Sequence, residues 1–567
     1  MRHSGHASAI LKIPFAALDS AATRFDRLVA EFYQSWFRFH PEVAVDQGVP
    51  GYAGLLRPYD DDDVGALIVL QEKLLNGLEE LDPERLDPDR QIDYRLLAGQ
   101  ARIEHHELLE RDWRRRDPQG FLPVHAIHQL TVMPVDDFRS AFEQRLRQIP
   151  GYLRGARRHL ADMPELIPLN WLEAAVISAT AGARYLRSLD QHPRVRRAYP
   201  RAGSSHDLLE GAARALDEFG RFMGDELSLH ADGEFASGRE HFELLLSDRH
   251  FLSVSADRLY AFGQRLFDVT RKELLSATRG LRGDDDVQAL VEKIHADHPA
   301  PEALLLAYRE QMQAAHDFIA EHDLVSIPPS QQLHLLETPV FLRSRIRFAG
   351  YLSPAPGDPA QVGHYYVTPT SDEALLGEHN WPGLMHTCVR EAWPGHHLQF
   401  VTASCLPAAR TLPRLINTSA TLYEGWALYC EQLMQEQGFL ALPEQKFILL
   451  RDRLWRALRI MLDVQLHTRG LGLDAAATRM QMELGFRREQ ALSDLQRYSR
   501  SPTVPMGHAT GWGLINAARD AVLSNGGELK AFHDRLLSAG SIALPLVIER
   551  VFGECARERA GRMVFSL

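Results

Sequence analysis

LMHTCVREAWPGHHLQF, residues Leu384 to Phe400, has the make-up of a helix broken near its middle. The pattern is helical up to Trp393. Pro394 then has no N–H to donate and Gly395 relaxes the turn, so a break or kink is expected. Pro394 can begin a second helical stretch carrying His396, His397 and Gln399. Glu391 and two imidazoles therefore meet at one junction. Metal-assisted hydrolysis uses that combination: neutral nitrogens to hold zinc, and a carboxylate to take a proton from bound water.

Further on, Tyr423 to Glu431 reads YEGWALYCE. Helical periodicity puts Glu424, Ala427, Leu428 and Glu431 on one face, with Gly438 as a stop. Glu424 follows His396 by 28 residues, enough for a turn and a second helix to return a third ligand. A lone glutamate on a helix is usually a surface charge, and a lone histidine a satisfied polar group. The combination is what points to a site.

The rest of the chain limits what that site can serve. At 567 residues, with 45% apolar and 24% charged residues, the composition is that of a globular protein. A net charge of −12 argues against nucleic-acid or acidic-membrane partners. Asp112 and Asp117 flank the basic run Arg114-Arg115-Arg116, which reads as a solvated helix end. Apolar runs such as 66–70 and 542–548 are too short to span a bilayer, and Asp19 interrupts any signal-peptide core. Cys388, Cys405, Cys430 and Cys555 lack CxxC spacing and read as free, mostly buried thiols, which places the protein in a reducing cytoplasm. There is no GxSxG elbow, and no Lys-Ser/Thr follows the glycines at 507, 511 and 513, a stretch better read as a helix packed against the site.

Helical periodicity dominates. Phe25, Leu28, Val29, Phe32 and Trp36 form one stripe, and Leu259, Phe262, Leu266 and Val269 another, with Ser255 as N-cap. The acidic run 60–63 suits a helix start. Strand signals are confined to 332–336 and 362–367, with loop expected over 351–359. The expected fold is all-α with a minor β element near 330–370: a tail over 1–20, then one large helical domain over 21–567. A deep cleft would hold the site motifs (384–431), backed by supporting helices (443–526).

At this level of detail REAWPGHHLQF followed by YEGWALYCE resembles the HExxPGHHxQ and EGWAxYxE pair of the bacterial family defined by the domain of unknown function numbered 885, which is regarded as similar to gluzincin-type zinc metallopeptidases. FYQSWFRFHPEVAVDQGVPGY (32–52), AGYLSPAPGDPAQVGHYYVTP (349–369) and RALRIMLDVQLHTRGLGLDAAA (456–477) resemble the family's opening helix, pre-site strand and "Arg…Asp…His-Thr" helix. The resemblance implies zinc, with His396 and Glu424 as ligands, His397 as an alternative ligand and Glu391 as general base. Arg459, Asp463 and His467 step by four along one face as supporting residues, with Glu431 beside them. Two positions depart from the pattern. Arg390 stands where the family has histidine, and arginine offers donors only. His508 stands where a tyrosine would serve the oxyanion. Two alternatives follow. Either His386, one turn before Arg390, replaces the lost ligand, or the guanidinium of Arg390 fills the vacated position and pairs with Glu424, a cation replacing a cation. The first implies zinc-dependent hydrolysis of a small peptide or other amide, with His508 assisting; the second implies a metal-free, lapsed or repurposed binding protein.

Overall fold

Most of the chain's helices begin and end where local chemistry allows. The computed structural model describes residues 20–566, except 202, 340, 341, 344, 345, 347, 357 and 359. The expected tail, 1–20, lies outside the described residues apart from Ser20, which caps the helix Ala21–Trp36 by accepting from Thr23 N–H. That helix buries Phe25, Phe32, Tyr33 and Trp36, the spacing of a single apolar face. Ser255 caps Ala256–Arg282 as its side-chain type predicts, and Asp61, Asp62 and Asp63 lie in the first turn of Asp61–Glu79.

Arg114 is not a solvated helix end: it is buried, donating to Asp112, to Asp61 and to the carbonyl of Tyr59. Of the two flanking acids, Asp112 is its ion-pair partner, whereas Asp117 pairs with Arg500.

The β element is a three-stranded sheet of order β1-β3-β2, made of β1 (Gln332–Glu337), β2 (Ala349–Leu352) and β3 (Val362–Val367). β1 and β3 run parallel with Gln332 opposite Val362, and β2 is antiparallel to β3 with Tyr351 opposite Tyr365. Tyr351 and Leu352, expected in a loop, pair as strand, so the loop starts at Ser353. Among the described residues everything else regular is helical, and the chain forms a single large, mainly helical domain with this minor sheet.

The largest apolar cluster joins the motif helices to the sheet and the C-terminal helices: Tyr365, Leu384, Cys388, Trp426, Cys430, Ile515 and Val547 all belong to it. Cys388 and Cys430 are packing residues there, as expected. A second cluster gathers on the other side of the long helix Pro443–Thr468, where Leu458, Met461 and Leu462 meet Phe267 and Leu274 of Ala256–Arg282. The site motifs thus lie within the first of these clusters. A cavity of about 350 Å3 opens beside Tyr423, walled by Trp36, Gln100, Arg249, His250 and Asn417 among others.

Candidate active site

The break at the centre of the motif is sharper than its composition suggests. The helix Trp381–Glu391 ends two residues before Trp393, and a new helix, His396–Cys405, starts with Gly395 as N-cap. Pro394 is therefore outside both helices rather than the first residue of the second; the Trp393–Pro394 peptide is cis. A Cβ at Gly395 would collide with the carbonyl oxygens of Val389 and Arg390, so only glycine lets the chain fold back here. Trp426 Nε1 donates to the carbonyl of Pro394 at 2.8 Å, tying the break to the helix that carries Glu424.

That helix, Ala420–Glu436, crosses the glycine-rich helix Gly507–Ser524 at very short range. A Cβ at Gly425 would lie 2.6 Å from Gly511 Cα. This backbone approach brings His508, one residue inside the second helix, onto Glu424. Asp463, fully buried on Pro443–Thr468, accepts from the N–H groups of Thr503 (3.2 Å) and Met506 (3.1 Å) and so fixes the turn that launches Gly507–Ser524.

Four helices converge on the carboxylate of Glu424. Arg390 donates to its Oε2, His508 Nε2 lies 3.0 Å from the same oxygen, and His396 Nε2 lies 3.6 Å away. Arg390 Nε is also 3.3 Å from Glu391 Oε1, and Arg459 Nη1 is 3.1 Å from His508 Nε2. The side chains of Glu424, Arg390 and Glu391 keep 19%, 15% and 13% of their surface, so solvent reaches the cluster. The ring of Tyr423 stands 6.4 Å from that of His396, and Tyr423 also lines the cavity, so the cluster and the cavity share a wall.

Burial dominates the electrostatics. It pushes the Glu391 carboxyl up to about 7, against the pull of Arg390 and with the help of Glu424 and Glu431. It pushes His396 down to about 4 and His508 down to about 3. Burial also opposes ionisation of Glu424, yet His508, Arg390 and His396 together hold that carboxyl well below its usual range. With both imidazoles neutral, Arg390 is the neighbour that carries the charge at pH 7. Burial lowers Arg390 as well, but Glu424 and Glu391 outweigh it and the net shift is upward.

The other expected site residues point elsewhere. His386 is buried between Glu431 Oε2 (3.0 Å, from Nδ1) and the carbonyl of Gln445 (2.8 Å, from Nε2). Both of its ring nitrogens are engaged, and it does not join the Glu424 cluster. His397 turns to the sheet side, with Nε2 2.7 Å from Gln331 Oε1 and Nδ1 3.1 Å from the Tyr351 hydroxyl. His467 accepts from Ser237 N–H and donates to the carbonyl of Tyr498; burial pushes it down to about 4, which suits that neutral tautomer. Of the Arg459, Asp463 and His467 face, only Arg459 reaches the cluster directly. The sequence reading missed Gln331, Tyr351 and Tyr423. The aromatic YLSP and LYEG contexts carried the only signal for the two tyrosines, and nothing marked Gln331.

These residues do not fit a metal ion as they stand. The guanidinium of Arg390 sits on the oxygen a metal would need. Among the described residues, no group of three or more His, Cys, Asp or Glu side chains is arranged to hold one. The arrangement can instead present a fixed cation, two neutral imidazoles and a carboxyl group that titrates near neutrality.

The chain resembles two solved structures: a "putative lipoprotein of unknown function" from Shewanella oneidensis (21% identity, TM-score 0.75, covering 92% of this chain and 98% of that one), and a "putative lipoprotein" from Colwellia psychrerythraea (19% identity, TM-score 0.77, covering 94% and 99%). At these identities the likeness is one of fold. No curated protein matches the chain. The expectation of a cytoplasmic protein is corrected by this finding, since both proteins of the same fold are described as lipoproteins and unpaired thiols do not assign a compartment. No helix among the described residues is long and apolar enough to cross a membrane. The model of the family described as "Bacterial protein of unknown function (DUF885)" matches residues 41–551, and the chain belongs to that family.

Proposed function

We propose that this chain is a metal-free binding protein for peptides or other amide-bearing ligands, built on a metallopeptidase-like scaffold, in which Arg390 supplies the positive charge that a metal would. The observation that carries this reading is the guanidinium of Arg390 seated on Glu424 and beside Glu391. An amide offers one acceptor and one donor. Arg390 Nη1 is buried without an acceptor and can meet the carbonyl oxygen, while Glu391 can accept from the N–H. Elemental analysis of the tag-free protein after dialysis tests the reading. It predicts well under one zinc per chain and no hydrolysis of peptides when zinc is added. A stoichiometric zinc that resists dialysis overturns it.

A second reading, zinc-dependent amide hydrolysis, has one observation in its favour: His396 and His508 both turn Nε2 toward Glu424 Oε2. It requires Arg390 to leave that oxygen. Chelator-sensitive hydrolysis that falls about a hundredfold or more in Glu391→Gln would support it.

A further inference from the structure

Two deeply buried arginines in this fold are satisfied in opposite ways. Arg414, 1% exposed, donates to Asp93, to both the carboxylate and the carbonyl of Asp89, and to the carbonyl of Ala539. Arg459, 7% exposed, makes one hydrogen bond among the described residues, and its acceptor is an imidazole nitrogen. Its Nε has no partner. Asp494, a carboxylate in electrostatic range, is already bonded to Arg497. A buried guanidinium with one neutral acceptor is expensive to keep.

The single acceptor is itself contested. His508 Nε2 lies 3.1 Å from Arg459 Nη1, which can only donate, and 3.0 Å from the ionised Glu424, which can only accept. A neutral imidazole nitrogen cannot serve both. If it carries the proton for Glu424, Arg459 loses its only acceptor. The Trp455 and Tyr498 rings lie 4.0 Å and 5.3 Å from the guanidinium and offer it no hydrogen-bond acceptor in its plane, where Nε is free. A planar edge with free donors matches a two-oxygen acceptor. Burial also holds the pKa of Arg459 below its ordinary value, as expected for a cation short of a counter-charge.

We propose that Arg459 is the receptor for a ligand carboxylate, so that the amide-bearing ligand of this site is an acid: a peptide, or a similar molecule, with a free carboxyl group. The proposal rests on the binding function argued above and names its ligand class. The carboxylate lies along the edge of Arg459, which frees His508 Nε2–H to donate to Glu424, while Arg390 meets an amide carbonyl nearer Glu391. Arg459, His508 and Arg390 then each have an acceptor for these donors.

The test is isothermal titration of N-acetylglycylglycine, and of its C-terminal amide, into chelator-treated full-length protein. The expected result is that the acid binds at least about tenfold tighter than the amide, the size of one charge-assisted hydrogen bond in a buried site. Arg459→Gln should abolish that preference, and Arg459→Lys, which keeps the charge but loses the planar edge, should restore part of it. Equal binding of acid and amide, no binding of either, or a preference that survives in Arg459→Gln overturns the proposal. Inorganic phosphate binding in place of the acid overturns the carboxylate assignment. Should Arg459→Gln fail to fold, Arg459→Lys decides the matter: an acid preference undiminished from the wild type overturns the proposal. Stoichiometric zinc uptake would overturn the metal-free reading instead, and leaves this comparison, made in chelator, unaffected.

Discussion

Arg390 and Glu391 are neighbours in sequence, yet the site treats them as opposites. Arg390 is permanently charged and anchored on Glu424, whereas burial brings Glu391 to the edge of neutrality, at about 7. The folded state therefore holds a proton on Glu391 over a range where an unfolded carboxyl, near 4.5, has released it. The stability this contributes is fully present below about pH 4.5 and is lost as pH rises through 7, by roughly 3 kcal/mol. Glu391→Gln, neutral at every pH, escapes that loss. Denaturant unfolding of wild type and variant should show a small difference near pH 4.5 that moves in the variant's favour by roughly 3 kcal/mol at pH 8. A difference that does not change with pH would mean that Glu391 ionises freely in the folded protein. At this scale the sequence was informative about identity and less so about direction. Glu391, His396, Glu424 and His508, drawn from three distant segments, do meet. His386 and His397 carry the same chemistry, but the first is engaged by Glu431 and Gln445, the second by Gln331 and Tyr351. Such partners are set by packing, which local spacing does not encode.

Among the elements, the crossing of Ala420–Glu436 with Gly507–Ser524 places the site. Gly511 is the closest point, where a Cβ would press on the Thr421 carbonyl and on Gly425 Cα. Gly511→Ala should force the helices apart, destabilise the protein by about 1–3 kcal/mol and move His508 off Glu424. Thermal unfolding and a crystal structure of the variant would check both effects. An unchanged midpoint with His508 still 3.0 Å from Glu424 would show that the crossing is not tight. The glycines at 507, 511 and 513 marked a closely packed helix in the sequence. Periodicity also put Arg459, Asp463 and His467 on one face of Pro443–Thr468. What periodicity could not show is that one helix face serves three destinations: the site, the turn before Gly507, and the end of Arg488–Arg500. The same limit applies to the motif helix, which ends at Glu391 and not at Trp393: Pro394-Gly395 announce a break in the sequence, but not how closely the chain folds back on the carbonyls of Val389 and Arg390.

Across the whole molecule, Arg414, in the short helix Leu412–Ile416 between the two motifs, joins the early helix Pro88–Glu110 to the site region through Asp89 and Asp93. Removing one partner of a buried ion pair leaves the other uncompensated. Arg414→Ala should therefore cost roughly 3–5 kcal/mol, seen as an earlier urea transition; an unshifted transition would show that apolar packing alone docks the early helices. The large helical fold with its small sheet was legible from the sequence because helix periods extend over most of its length and the strand signals are confined to one region. In the proposed function the site carries its cation in the chain, at Arg390, where the guanidinium sits on Glu424. Isothermal titration of zinc into chelator-stripped wild type and Arg390→His tests this most directly. The account predicts no stoichiometric binding in the wild type. In the variant, where Glu424, His396 and His508 gain a fourth donor, affinity should rise by more than the ten- to hundredfold typical of supporting residues. Tight zinc binding by the wild type, equal to or stronger than that of Arg390→His, would contradict it.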